Sequence, residues 1–211
     1  DRGITTVILD EFHERSLQLD LALAFLSEIQ SVYRPGLKVI IMSATLDVQG
    51  LQDWFGGPHF HAPGKTYENE IIHAVNRIDR NEIGQELVRQ AQVFGADPNA
   101  RNIVVFLPGR REIENAYDLL QGNLHVPISK LHGQLSLAEQ ARVLSHGEKH
   151  LVLATNIAET SLTIPGVNRI IDTGWRREAR YVESWAAQAL FTSRITEFSA
   201  RQRAGRANRL S

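Results

Sequence analysis

Short, unbroken runs of aliphatic and β-branched residues recur along this 211-residue chain, and each stops abruptly at a polar loop. Val7-Ile8-Leu9, Val39-Ile40-Ile41, Ile103-Val104-Val105-Phe106 and Leu151-Val152-Leu153-Ala154 are the clearest. Runs of four or five apolar residues without alternation read as strands buried on both faces, the habit of a parallel sheet. Between them lie stretches with helical spacing: Leu17 to Ile29 (stopped by Arg34-Pro35-Gly36), 47–55, 82–94, 111–120 and 137–144. Strands expected at 38–42, 102–106, 126–131, 151–154 and 167–171 alternate with those helices, which predicts an α/β fold with helices on both faces of a parallel sheet. Residues 178–182 and 189–192 flank a turn and suit an antiparallel hairpin. Ala62-Pro63-Gly64-Lys65-Thr66 interrupts the rhythm as a linker would, giving expected domains of residues 1–64 and 65–211.

No apolar run approaches the roughly 20 residues of a membrane span, so no membrane partner is expected. The absence of cysteine excludes disulfides and thiolate metal sites and fits a reducing cytoplasm, the expected location. The chain opens at Asp1, close to a strand, and stops at Ser211 after a basic stretch, so we read it as a piece of something longer. A net charge of −1 is uninformative, but its distribution is not. Residues 169–211 hold nine arginines and no lysine against four acids. Arginine without lysine favours forked recognition of phosphate.

Four clusters carry candidate chemistry. Asp10-Glu11-Phe12-His13 follows the first strand, and open α/β sheets bind ligands beyond the carboxyl ends of their strands. One carboxylate there could hold hydrated Mg²⁺ while its neighbour orients or deprotonates an attacking water; alternatively Asp10 caps a helix starting near Arg15. Ser43 and Thr45 end the second strand with two hydroxyls, which would also serve as a helix cap. Residues 154–164 form a polar passage able to touch phosphate and sugar oxygens, or simply a hydrogen-bonded loop. Last comes Gln202-Arg203-Ala204-Gly205-Arg206-Ala207-Asn208-Arg209. At 100° per residue Gln202, Arg206 and Arg209 share one narrow stripe, flanked by small residues that permit close approach. Two such arginines could neutralise a transferring phosphoryl group, or form only a solvated basic face.

The order and spacing of Asp10-Glu11-Phe12-His13, Ser43-Ala44-Thr45, Phe106-Leu107-Pro108-Gly109, Leu131-His132-Gly133, Thr155 to Ile164 and Gln202 to Arg209 resemble the later motifs of the superfamily 2 DEAH-box helicases, most of all the bacterial HrpB type. The resemblance implies the back half of one RecA-like domain and most of a second, with ATP and Mg²⁺ as cofactors and single-stranded nucleic acid, RNA rather than DNA, as partner. It implies that Asp10 orders Mg²⁺ through water, Glu11 activates the hydrolytic water, and His13 links the site to Ser43 and Thr45. It further implies that Gln202, Arg206 and Arg209 reach the triphosphate in the inter-domain cleft. Thr155, Asn156 and Thr160 would touch the nucleic-acid backbone or relay the nucleotide state, the hairpin would stand where the family separates strands, and His132 would be structural.

Three departures accompany it. The family's phosphate loop, Gly-x-x-x-x-Gly-Lys-Ser/Thr, is absent, so these residues are not expected to hydrolyse ATP unaided. Asn208 replaces a usual glycine, and Leu144 stands near where many relatives place a base-stacking aromatic. A non-catalytic nucleic-acid-binding scaffold, or a translocase that does not separate strands, remains the alternative.

Overall fold

The computed structural model describes residues 3–14, 16–43, 48–62, 69–74, 83–145, 147, 149–159 and 162–207. The chain divides into two compact units, 1–64 and 65–211. The expected linker falls largely outside the described residues. No helix among the described residues is long and apolar enough to cross a membrane.

In the first unit, β1 (Thr6–Leu9) and β2 (Lys38–Ile41) pair in parallel, with Leu9 opposite Ile41. Helix α1 (Leu17–Glu28) connects them and widens into a π turn over Ile29–Tyr33; α2 (Val48–Phe55) follows β2. Leu9, Phe12 and Leu23 form the buried centre, with Leu19, Leu26, Val39, Ile41, Leu51 and Phe55 around them. Among the described residues the core cluster covers one face of this pair. Ile8 is 54% exposed and Ile40 44%, so the run Val7-Ile8-Leu9 is not buried on both sides as expected. A period of two sends Val39 and Ile41 to the core and their alternate to the other face, so a continuous apolar run cannot itself say whether that face has a cover.

The second unit contains α3 (Ile83–Ala96), β3 (Asn102–Phe106), α4 (Arg110–Gln121), β4 (Ile128–Leu131), α5 (Leu137–Leu144), β5 (Leu151–Ala154) and β6 (Val167–Asp172). The sheet runs β4-β5-β3-β6, every pair parallel. Here the expectation of two buried faces holds. Ile103 and Val105, with Leu151 and Leu153, pack on Leu87 and Ala91 of α3 and Ile113, Ala116 and Leu120 of α4. Val104, Phe106, Val152 and Ala154 face the other way, against Ala158, Ile164 and Val167, with Val143 and Leu144 of α5 beside them. Each large aliphatic side chain so enclosed stabilises the fold by about 1.5–3 kcal/mol. Leu144 is thus half-buried packing. Helix α5 starts in a capping box, Ser136 and Glu139 bonding each other's backbone N–H reciprocally.

Beyond the sheet, β7 (Trp175–Val182) and β8 (Ala187–Arg194) pair antiparallel, β7 starting earlier than expected and β8 longer at both ends. A 3₁₀ turn (Glu183–Trp185) joins them, with Ala186 left-handed at φ 47°. Helix α6 (Glu197–Ala204) follows, capped by Thr196.

Candidate functional site

The last residues of four parallel strands stand in one row. Phe106 pairs with Ala154 and Asp172, and Ala154 with Leu131, so Leu107, Thr155, Thr173 and His132 leave the sheet along the same edge. Backbone bonds fix that edge: Thr155 N–H donates to the Leu131 carbonyl at 3.1 Å and Leu107 N–H to that of Ala154 at 2.8 Å. Thr155 is buried at 8% exposure; Asn156 is exposed. A 3₁₀ turn over Asn156–Ala158 then carries the chain to Glu159. Thr160 lies outside the described residues.

Helix α6 packs on β6, and the point where it ends bears on the expected spacing of Gln202 and Arg206. The helix ends at Ala204. Arg206 N–H donates to the Arg203 carbonyl at 3.0 Å and Ala207 N–H to that of Ala204 at 3.2 Å, three-residue turns to which a 100° wheel does not apply. Gln202 is half-buried on the helix. Arg206 lies past its end, beside Val104, Ala158 and Ile164, with Nη1 donating to the Leu162 carbonyl at 3.1 Å. Arg209 and Asn208 fall outside the described residues. The small residues do admit a close neighbour, but it belongs to this chain: Asn69 Nδ2 donates to the Ala204 carbonyl at 3.0 Å.

Much of the C-terminal arginine excess is engaged in ion pairs within the unit. Arg169 meets Asp97, Arg177 meets Glu112, Arg176 and Arg180 both meet Glu178, and Arg201 meets Glu197. Arg194 covers the Trp175 ring at 4.2 Å. The residue that sequence reasoning missed is Arg203. Its side chain is fully buried, with Nε 2.9 Å from Glu159 Oε2 and Nη1 2.8 Å from Asp172 Oδ1. Ser199 Oγ donates to the other Glu159 oxygen at 2.6 Å. Ser199 and Arg203, four residues apart, share one face of α6. That spacing, with Glu159 the single acid in the polar passage, was the available signal.

His132 is 7% exposed at the same sheet edge. Burial holds its imidazole below the usual histidine range, and Arg110 adds to the effect; Glu114 and Glu139 oppose them.

In the first unit the carboxylate cluster follows β1. Asp10 is exposed, and its Oδ1 accepts the Glu11 N–H at 2.8 Å. The helix cap is Ser16, which accepts the Leu19 N–H at 3.1 Å, so the reading of Asp10 as that cap is set aside. Glu11 adopts φ 51°, left-handed backbone that costs a non-glycine residue about 1–3 kcal/mol. After this turn Phe12 enters the core and donates its N–H to the Met42 carbonyl at 3.0 Å. His13 Nε2 lies 3.3 Å from Glu11 Oε2, and His13 Nδ1 lies 3.4 Å from Ser43 Oγ. The histidine side chain is 3% exposed and the glutamate 45%, so a buried ring backs a solvent-facing carboxylate. Glu11, His13 and Ser43 are therefore brought together across β1 and β2; Thr45 lies outside the described residues. No group of three or more His, Cys, Asp or Glu among the described residues could cage a metal. An exposed Asp10 beside Glu11 instead suits Mg²⁺, which binds through one or two carboxylates and keeps much of its water.

Residues 85–211 match the family model of the helicase conserved C-terminal domain. The chain is 40% identical to the ATP-dependent RNA helicase HrpA of Escherichia coli (strain K12), covering 98% of this chain and 16% of that protein. It is 39% identical to HrpB, an ATP-dependent RNA helicase of the same organism, covering 99% of this chain and 26% of the relative. A crystal structure of the E. coli DExH-box NTPase HrpB superposes with a TM-score of 0.81 at 37% identity, over 99% of this chain and 26% of that one. The chain thus spans about a quarter or less of these relatives.

Proposed function

Since the chain belongs to the DEAH-box helicases, with RecA-like α/β architecture, we propose that it is part of an ATP-dependent RNA helicase and supplies residues for both ATP hydrolysis and nucleic-acid contact. The observation that carries this reading is the chain Glu11–His13–Ser43 at the carboxyl ends of β1 and β2, with Asp10 exposed beside it. In the proposal Glu11 accepts the proton of the attacking water. His13, hydrogen-bonded to Ser43, holds that carboxylate in place. Asp10 would hold Mg²⁺, and the bound ion would supply charge neutralisation at the phosphates.

In the same proposal Gln202, Arg206 and Arg209 bear on nucleotide phosphate. Arg206, whose Nη1 bonds the neutral Leu162 carbonyl, would gain on an anionic phosphate a forked pairing that adds both energy and geometric specificity to that single bond. Thr155, Asn156 and Thr160 bear on the nucleic-acid backbone. Loss of the γ-phosphate then frees the arginines, and the two states drive strand movement. The relatives' names as RNA helicases support RNA as the substrate. Because the Gly-Lys-Ser/Thr phosphate loop is absent from these 211 residues, the proposed activity belongs to a longer chain.

The test is Glu11→Gln in the full-length protein, which should abolish ATP turnover and leave ATP binding intact. Arg206→Ala should slow turnover about 10³-fold or more. Undiminished hydrolysis in Glu11→Gln would overturn the assignment, and an Arg206→Ala effect below about tenfold would remove that arginine from it.

A further inference from the structure

The fully buried guanidinium of Arg203 reaches three separate segments of the second unit. Nε bonds Glu159, two residues past the 3₁₀ turn's Ile157; Nη1 bonds Asp172 at the end of β6 and the Trp175 carbonyl, at 3.3 Å, where the hairpin begins. Its Cζ lies 4.8 Å from the centre of the Phe106 ring, at the end of β3. The same residue's backbone carbonyl accepts the Arg206 N–H, so the turn presenting Arg206 is built on it. Glu159 in turn is held at both oxygens from α6, by Arg203 and Ser199, while its N–H closes the turn onto the Asn156 carbonyl at 2.9 Å. Arg206 and Asn156 are thereby linked through one buried ion pair, Arg203–Glu159.

Stability alone does not call for this arrangement. Well-packed apolar residues commonly replace a buried ion pair with no loss, and often with a gain. What a guanidinium adds is a planar fork that accepts only one geometry of its partners. We propose that Arg203 is a positioning residue that couples the phosphate-facing turn at Arg206 to the nucleic-acid-facing turn at Thr155 and Asn156, with Glu159 as its relay. The proposal rests on the helicase reading above. It makes nucleotide affinity and strand affinity depend on each other, and coupling of this kind is reciprocal.

The test measures binding of a fluorescent single-stranded oligouridylate to the full-length protein, with and without a non-hydrolysable ATP analogue, and of the analogue with and without the oligonucleotide. Glu159→Gln and the milder Ser199→Ala should each leave both binary affinities within about twofold. The factor by which either ligand alters the other's affinity should fall at least about fivefold towards unity, against the 5- to 150-fold typical of coupled sites. Arg203→Lys, which keeps the charge and loses the fork, should fail to restore it. Coupling unchanged in all three variants overturns the proposal, as does a fall in binary affinity that accounts for the whole effect. Wild-type protein that binds neither ligand refutes the helicase reading itself, and that measurement precedes any variant.

Discussion

Replacing Arg203 with methionine tests how the second unit accommodates a charge in its interior. Methionine fills much of the same volume, so the cavity term is small and the change is mainly electrostatic. An exposed ion pair contributes about 0–1 kcal/mol. A buried one broken on one side costs about 3–5 kcal/mol, because the remaining charge has left water without a partner. Exposure decides between them: the side chains of Arg203, Glu159 and Asp172 are 0%, 11% and 22% exposed. Glu159 keeps the Ser199 hydroxyl, and Asp172 keeps the Gly174 N–H at 2.9 Å. Both residual bonds soften the loss, which places it near the lower bound, about 3 kcal/mol. Urea unfolding followed by circular dichroism should then show the midpoint falling by about 1–3 M, for slopes of about 1–3 kcal/mol/M. Adding Glu159→Met to Arg203→Met should recover at least about half of the loss by removing the stranded carboxylate. A single-variant loss below about 1 kcal/mol, or no recovery in the double variant, would show that water reaches this network and refute the reasoning.

Two further outcomes are expected. His132 is buried and its folded-state pKa is depressed, with Arg110 and Lys130 disfavouring its protonation and Glu114 and Glu139 favouring it. The unfolded chain therefore takes up a proton first: the stability contribution is complete above the unfolded value of about 6.5 and is lost as pH falls below it, by at most about 1.4 kcal/mol per pH unit. His132→Gln should flatten that part of the stability profile between about pH 7 and 5, and parallel profiles would disprove it. At Gly109, which caps α4 in extended backbone, an added Cβ would stand 2.8 Å from Arg177 Nη1 and 3.2 Å from Glu112 Oε2. Gly109→Ala should displace the Arg177–Glu112 pair joining β7 to α4 and cost about 1 kcal/mol, read as a lower thermal midpoint; an unchanged midpoint would show that the guanidinium moves aside freely.

Apolar spacing was enough to place β3, α5 and β5, whose observed bounds coincide with the expected ones. The α/β class and the polar ends of the strands were legible for the same reason. The cover on a strand's second face was not. Val7-Ile8-Leu9 and Ile103-Val104-Val105 read alike, yet Ile8 is 54% exposed and Val104 1%, because the neighbouring layers come from elsewhere in the chain.

The arginines show the same division. Residue type alone established that the last forty residues are rich in guanidinium groups. Which of them is buried depends on a carboxylate 44 residues away, and the end of α6 at Ala204 takes Arg206 off the expected wheel. Hydrogen-bond geometry along a helix is set by adjacent residues. The fate of a charge in the interior is set by whatever packing brings against it, and that information exists only once the chain has folded.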